Sequence, residues 1–124
     1  MSRTALFSLP LIALALLIGA GDKVRAQAAP DYNALLAQPD RTDADKQNDG
    51  RRKAPEMLAF IGCRPGMKEL DMAADAGYST ELMARCVAPN GTVYAQNDPG
   101  LPQRPMDAFK ARMEHPAMNH HANQ

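Results

Sequence analysis

The sequence carries no net charge, because 14 lysine and arginine residues are balanced by 14 aspartate and glutamate residues. A balanced chain has no long-range field to attract nucleic acid or anionic lipid, so neither is an expected partner. The one basic cluster, Arg51-Arg52-Lys53, is typical of a solvated helix end. The sequence also lacks the Gly-Lys-Ser or Gly-Lys-Thr of a P-loop, which excludes a P-loop phosphate site. It has no glycine triplet at dinucleotide spacing either, which disfavours a dinucleotide site.

Cysteine is scarce, since Cys63 and Cys86 are the only two in the chain. An oxidising compartment would allow them to form a disulfide, but their spacing does not decide between a disulfide and two separate, partly buried thiols. We expect the separate thiols. A zinc site is not expected, because zinc-binding cysteines usually lie much closer together in sequence.

The N-terminus has the pattern of an export signal. Arg3 supplies a positive start, the run from Ala5 to Gly19 is almost entirely apolar, and small residues follow at Ala26 and Ala28. We therefore predict a signal peptide over residues 1–26, cleaved near Ala26 or Ala28, and a mature protein in the periplasm or outside the cell. An uncleaved membrane anchor is the alternative, but the apolar run is shorter than the roughly 20 residues that span a bilayer. Contact with a membrane is expected only through the signal.

Residues 27–50 are predicted to form a linker and then a polar helix, with one short helical turn inside the linker. The polar helix would cover residues 42–53, and Asn48-Asp49-Gly50 predicts a break in its middle. A second helix begins at Pro55, where the missing N–H costs nothing, and ends at Gly62. The turn in the linker is centred on three apolar residues: Tyr32, Leu35 and Leu36.

One βαβ unit follows these helices. Met67 to Met72 predicts a strand, Ala73 to Gly77 forms a loop of small residues, and Tyr78 begins an amphipathic helix. After an Asn-Gly turn, Thr92 to Gln96 predicts a second strand parallel to the first. Small loop residues let the backbone lie close to a ligand, so we infer a bound cofactor. Glu69 conflicts with the pattern, because a strand buried on both faces is usually apolar throughout.

The loop and its flanks resemble the first motif of the class I S-adenosylmethionine-dependent methyltransferases, in particular a family of exported predicted methyltransferases. In that motif an acidic residue precedes three glycines or small residues at alternate positions, which here correspond to Asp71, Ala73, Asp75 and Gly77. The resemblance spans roughly residues 50–110. It implies an α/β fold, namely an incomplete Rossmann-like methyltransferase domain over residues 51–114, with N-terminal helices followed by one βαβ unit.

The resemblance also implies where S-adenosylmethionine would bind. Asp71 and the loop from Ala73 to Gly77 would hold the amino-acid end of the cofactor, and the helix from Tyr78 would offer free N–H groups to its carboxylate. Asn97 stands where family members carry an acidic residue that binds both ribose hydroxyls. Asp98 either replaces that residue or only caps the following turn. The resemblance identifies no catalytic residue, and the methyl acceptor is unknown.

The chain is short for this family, whose fold uses about seven strands in roughly 200 residues or more, whereas only two strands are predicted here. We therefore expect the N-terminal part of a truncated methyltransferase, with a third helix over Pro105 to Glu114 and a disordered tail over residues 115–124. The expected activity is methyl transfer from S-adenosylmethionine to an unknown acceptor, and the short length puts catalysis by this chain in doubt.

Two other functions remain open from the sequence. The chain could be an inactive exported remnant of such an enzyme. It could instead be a small periplasmic metal-binding protein, because methionine and histidine near the C-terminus are donors that copper accepts. These donors are Met106, Met113, His115, Met118, His120 and His121. Outside this tail no metal site is expected.

Overall fold

The structure, a computed structural model, describes residues 28–119 and the backbone of residues 122 and 123. The predicted signal peptide over residues 1–26, together with His120 and His121, lies outside the described residues. No helix within the described ranges is long and apolar enough to cross a membrane. The elements, in chain order, are α1 (Tyr32–Leu36), α2 (Asp43–Arg52), α3 (Ala54–Ile61), β1 (Lys68–Met72), α4 (Tyr78–Val87), β2 (Thr92–Gln96), α5 (Gln103–Met113) and β3 (Ala122–Asn123).

The strands form one parallel sheet in the order β1-β2-β3. Lys68 pairs with Thr92 and Met72 with Gln96, so the predicted parallel pairing of the first two strands is confirmed over their full length. The third strand, which the sequence did not suggest, adds two residues to the far side of β2. Helices and parallel strands alternate from β1 onward, and the chain is therefore an α/β protein.

The predicted break at Asn48-Asp49-Gly50 is wrong, because α2 continues through these residues to Arg52. Thr42 caps the helix, and its side-chain oxygen accepts a hydrogen bond from the backbone N–H of Asp45 at 3.1 Å. Both carboxylate oxygens of Asp49 accept hydrogen bonds from Arg41 at 2.7 Å, which anchors the middle of the helix. These contacts offset the roughly 1 kcal/mol that a glycine costs inside a helix.

The hydrophobic core lies between α4, the inner face of the sheet and helices α1 and α3. Leu82, Val87 and Val93 are almost completely buried there beside Leu58 of α3. The predicted disordered tail is wrong for residues 115–119, because turns in this segment carry Met118 into the core, where it is 1% exposed. Burial of a large apolar side chain supplies about 1.5–3 kcal/mol toward ordering this segment.

The two cysteines form a disulfide, so the expectation of separate thiols is wrong. Cys63 follows α3 and Cys86 lies in the last turns of α4. The Cα atoms of the cysteines lie 6.2 Å apart, within the range that a disulfide spans. The crosslink therefore joins α3 to α4 through the middle of the core.

Glu69 is a destabilising residue, as the sequence pattern suggested. Its side chain lies on the inner face of β1, and neither carboxylate oxygen has a hydrogen-bond partner in the described part of the chain. Burial, together with the nearby carboxylate of Asp71, raises the pKa of Glu69. An acid whose pKa is raised in the folded state costs stability as the pH rises above its ordinary value.

Replacing Glu69 by leucine is therefore expected to raise the free energy of unfolding at pH 7 by roughly 1–3 kcal/mol, the cost of one buried unsatisfied polar group. The gain should be smaller at pH 4, where the carboxyl group is protonated in both states. Urea unfolding at the two pH values measures both effects. Glu56→Leu, on the exposed surface of α3, is the matched control and should change stability by less than about 1 kcal/mol. An equal gain in both variants would contradict the assignment.

Candidate functional site

The loop between β1 and α4 has a regular backbone pattern. Ala73, Asp75 and Gly77 have φ angles of 58°, 52° and 80°, so left-handed residues occur at alternate positions. These are the three positions that the sequence matched to glycines or small residues. Glycine adopts this conformation freely and aspartate tolerates it, whereas alanine does so at a cost of roughly 1–2 kcal/mol. The chain therefore keeps a glycine-type loop shape with only one glycine.

The end of β2 holds the loop in this shape. The N–H of Ala74 donates to the backbone carbonyl of Gln96 at 3.1 Å. The N–H of Asp75 donates to Oδ1 of Asn97 at 2.7 Å, and Nδ2 of Asn97 donates back to the carbonyl of Asp75 at 3.1 Å. The loop that follows one strand is thus fastened to the residues that end the next strand.

Asp71 lies at the end of β1, but its carboxylate faces α4. Its Oδ2 accepts hydrogen bonds from the hydroxyl groups of Ser79 at 2.9 Å and Thr80 at 2.6 Å. The side chain is buried, so the structure places it beneath the loop. A carboxylate at the N-terminal end of a helix also interacts favourably with the helix dipole. Asp71 therefore fixes the strand to the start of the helix, a role that the sequence alone did not show.

The other two predicted positions also make protein contacts. The hydroxyl group of Tyr78 donates to Asp49 of α2 at 2.6 Å, and its ring lies 5.1 Å from the guanidinium of Arg52. Burial raises the pKa of Tyr78, so its hydroxyl stays protonated and remains a donor. Asp98 is exposed and accepts a hydrogen bond from the N–H of Gly100 at 2.6 Å, so it has the turn-capping role of the two that were predicted.

Helix α5 packs directly against the loop. A Cβ atom added to Gly77 would lie 2.9 Å from Cδ2 of Phe109, too close for any larger residue to fit without movement. Nε of Arg112 donates to the carbonyl of Ala76 at 3.0 Å, and the rest of its guanidinium is bound to Asp45 at 2.9 and 3.0 Å and to Glu81. Arg112 thus connects the loop to α2 and α4 through buried charges.

A cavity of about 400 Å³ opens beside the carboxyl end of β2. Its volume lies in the range of small-molecule sites, and its walls are mostly apolar with two side-chain amides. The lining residues are Leu70, Tyr94, Ala95, Gln96, Asn97, Met106 and Phe109. Sequence reasoning missed this cavity, because it needs α5 to lie beside β2 and nothing in the helical pattern shows which strand a helix contacts.

The groups proposed for copper are only partly available. Met118 is buried in the core, and His115 lies 3.8 Å from the carboxylate of Asp40. Within the ranges that the structure describes, no group of three or more histidine, cysteine, aspartate or glutamate residues is placed to hold a metal ion. The loop of residues 73–77 and the cavity are therefore the best-formed candidate site in these ranges.

The chain is an α/β protein with a loop of alternating left-handed residues at the carboxyl end of a parallel strand pair. Comparison with known proteins found no match among protein-family models, curated proteins or solved structures. What the site does therefore has to be argued from its own geometry.

Proposed function

We propose that this chain binds S-adenosylmethionine through the loop of residues 73–77, as the N-terminal part of a class I, Rossmann-like methyltransferase fold. The observation that carries the proposal is the alternation of left-handed residues at 73, 75 and 77, between a parallel strand and a helix N-terminus. In open α/β sheets, ligands bind outside the carboxyl ends of the strands, where such loops let a backbone approach closely.

The residues present fit an adenosyl ligand in two respects. The first turn of α4 has no side-chain cap, so its N–H groups can bind the carboxylate of the amino-acid end. The cavity beside β2 offers apolar walls and a half-exposed aromatic ring, Tyr94, to the adenosyl group. The exposed carboxylate of Asp75 is the one unfavourable group, because it adds negative charge near the ligand carboxylate.

S-adenosylmethionine supplies an activated methyl group when bound, so the protein mainly has to bind and orient the donor. On this proposal the loop and the first turn of α4 orient the amino-acid end, and the cavity orients the adenosyl end. No side chain in the site is assigned to the methyl acceptor, so the proposed activity of this chain is donor binding, with transfer to an unidentified acceptor.

We also propose that the protein is exported to the periplasm or beyond. The disulfide between Cys63 and Cys86 supports this proposal, because such crosslinks persist in oxidising compartments and are rare in the cytosol. The N-terminal pattern that predicted export lies outside the described residues.

Titration calorimetry of the full chain with S-adenosylmethionine and S-adenosylhomocysteine tests the proposed function. We expect saturable binding of both compounds, and about fivefold weaker binding by Tyr94→Ala, since an aromatic contact is worth about 1 kcal/mol. Phe60→Ala is the matched control, because Phe60 is an exposed aromatic residue on α3 outside the cavity. Absence of binding at millimolar ligand by a folded chain would reject the proposal in favour of an inactive remnant.

A further inference from the structure

We infer that Asn97 is a positioning residue, which acts on the loop of residues 73–77 through the backbone of Asp75 and does not bind the ribose. This inference rests on the proposed function. Its basis is that both polar atoms of the Asn97 side chain are already used on the backbone of one loop residue, Asp75. Oδ1 accepts from the N–H of Asp75 at 2.7 Å, and Nδ2 donates to the carbonyl of the same residue at 3.1 Å.

The loop needs such a brace because it contains few glycines. Ala73 and Asp75 are held at φ angles of 58° and 52°, a region that residues with a Cβ atom rarely adopt unless their surroundings hold them there. Asp75 is exposed, so its backbone groups could otherwise pair with water in other conformations. Two hydrogen bonds to one half-buried amide fix both the donor and the acceptor of this residue at once.

A carboxylate could not replace Asn97 in this role. It could accept from the N–H of Asp75, but it has no proton to donate to the carbonyl and would repel that oxygen. Asparagine supplies one donor and one acceptor side by side, which matches the backbone C=O and N–H that Asp75 presents. The identity of residue 97 therefore follows from the loop that it holds.

The consequence concerns ligand specificity. Asp71 is buried and bound to Ser79 and Thr80, and Asp98 is exposed and bound to the N–H of Gly100. Neither Asp71 nor Asp98 lines the cavity, whose polar side chains include the amides of Gln96 and Asn97. We therefore expect the site to recognise the ribose hydroxyl groups only weakly, through neutral groups.

Hydrogen exchange of the ligand-free chain tests the brace directly. In Asn97→Ala, exchange at the amide of Asp75 should become at least tenfold faster, while core amides such as that of Val93 keep their rates. Asn48→Ala, at a half-buried asparagine on α2, is the matched control and should leave the Asp75 amide unchanged. An unchanged rate at Asp75 in Asn97→Ala would overturn the inference, as would equal acceleration throughout the core.

Ligand affinity separates the two possible roles of Asn97. If Asn97 braces the loop, Asn97→Asp should weaken binding of S-adenosylhomocysteine. If Asn97 instead bound the ribose, Asn97→Asp should strengthen binding through a charge-assisted hydrogen bond. Asn97→Ala should lower the affinity for S-adenosylhomocysteine and the affinity for its 2′-deoxy analogue by the same factor, to within about threefold. Tighter binding of S-adenosylhomocysteine by Asn97→Asp would overturn the inference. So would a loss of affinity in Asn97→Ala that affects S-adenosylhomocysteine but not its 2′-deoxy analogue. Binding of neither compound by the unmodified chain would reject the proposed function itself, and the exchange experiment would still decide whether Asn97 holds the loop.

Discussion

Replacing Arg112 by methionine is expected to lower the free energy of unfolding by about 3–5 kcal/mol, the usual cost of removing one partner from a buried ion pair. Arg112 binds both carboxylate oxygens of Asp45, and it also binds Glu81. Methionine keeps much of the side-chain volume, but it leaves Asp45 without its cation and Glu81 with Arg85 alone, and both carboxylates are at most 7% exposed. Urea unfolding measures the loss.

The pH dependence of this variant gives a second test. Burial by itself raises the pKa of Asp45, but hydrogen bonds from Arg112 and Thr42 outweigh it and leave the pKa below its ordinary value. A lowered pKa contributes stability above the unfolded-state value of about 4, and this stability is lost as the pH falls through the folded-state value. Without Arg112, burial dominates, so the deficit of the variant should be largest near pH 7 and smaller at pH 4.

Arg104→Met is the matched control for Arg112→Met. Arg104 lies on the same helix but is exposed, so its replacement should change the free energy of unfolding by no more than about 0.5 kcal/mol. A loss below 1 kcal/mol for Arg112→Met, or equal losses in the two variants, would show that the buried charges do not hold α5 to α2.

Loss of the disulfide between Cys63 and Cys86 is expected to lower the free energy of unfolding by about 3 kcal/mol, the amount that a crosslink of this span removes from the unfolded chain as entropy. The two residues are separated by 23 positions, and both are almost completely buried. The double variant Cys63→Ala with Cys86→Ala measures the loss. It also removes two sulfur atoms from the core, which adds to the effect in the same direction.

A reducing agent provides the control for the disulfide. It should destabilise the unmodified chain by a similar amount and leave the double alanine variant unchanged. Alkylation of the unfolded, unreduced chain should add no label, because both sulfur atoms are bonded to each other. Two labels per chain, or equal stability of the unmodified protein and the variant, would contradict the role given to the disulfide.

The strands and the helix of the βαβ unit could be predicted from the sequence, because their patterns are local. A β-branched and aromatic run marked Thr92–Gln96, the bounds that the structure gives, and the helix predicted to begin at Tyr78 does begin there. The loop between them was found by resemblance to a motif. The structure adds that Ala73 and Asp75 adopt left-handed conformations without being glycine.

The features that sequence reasoning missed depend on contacts between distant residues. Asp49 is held by Arg41 and by Tyr78, which lies 29 positions away, so the weak middle of α2 could not be judged from its own residues. Asn97 meets Asp75 across 22 positions, which is why its alignment with an acidic residue suggested a ribose ligand and not a brace. The disulfide likewise depends on the approach of two residues 23 positions apart, which their spacing does not encode.

Nuclear magnetic resonance of the nitrogen-15-labelled chain, titrated with S-adenosylhomocysteine, tests the central claim most directly. We expect saturable shifts at the amides of residues 73–79 and of Gln96 and Asn97, with little change at the exposed amides of α2. Shifts confined to other parts of the chain, or none at millimolar ligand while the spectrum shows a folded protein, would contradict the claim that this loop receives an adenosyl ligand.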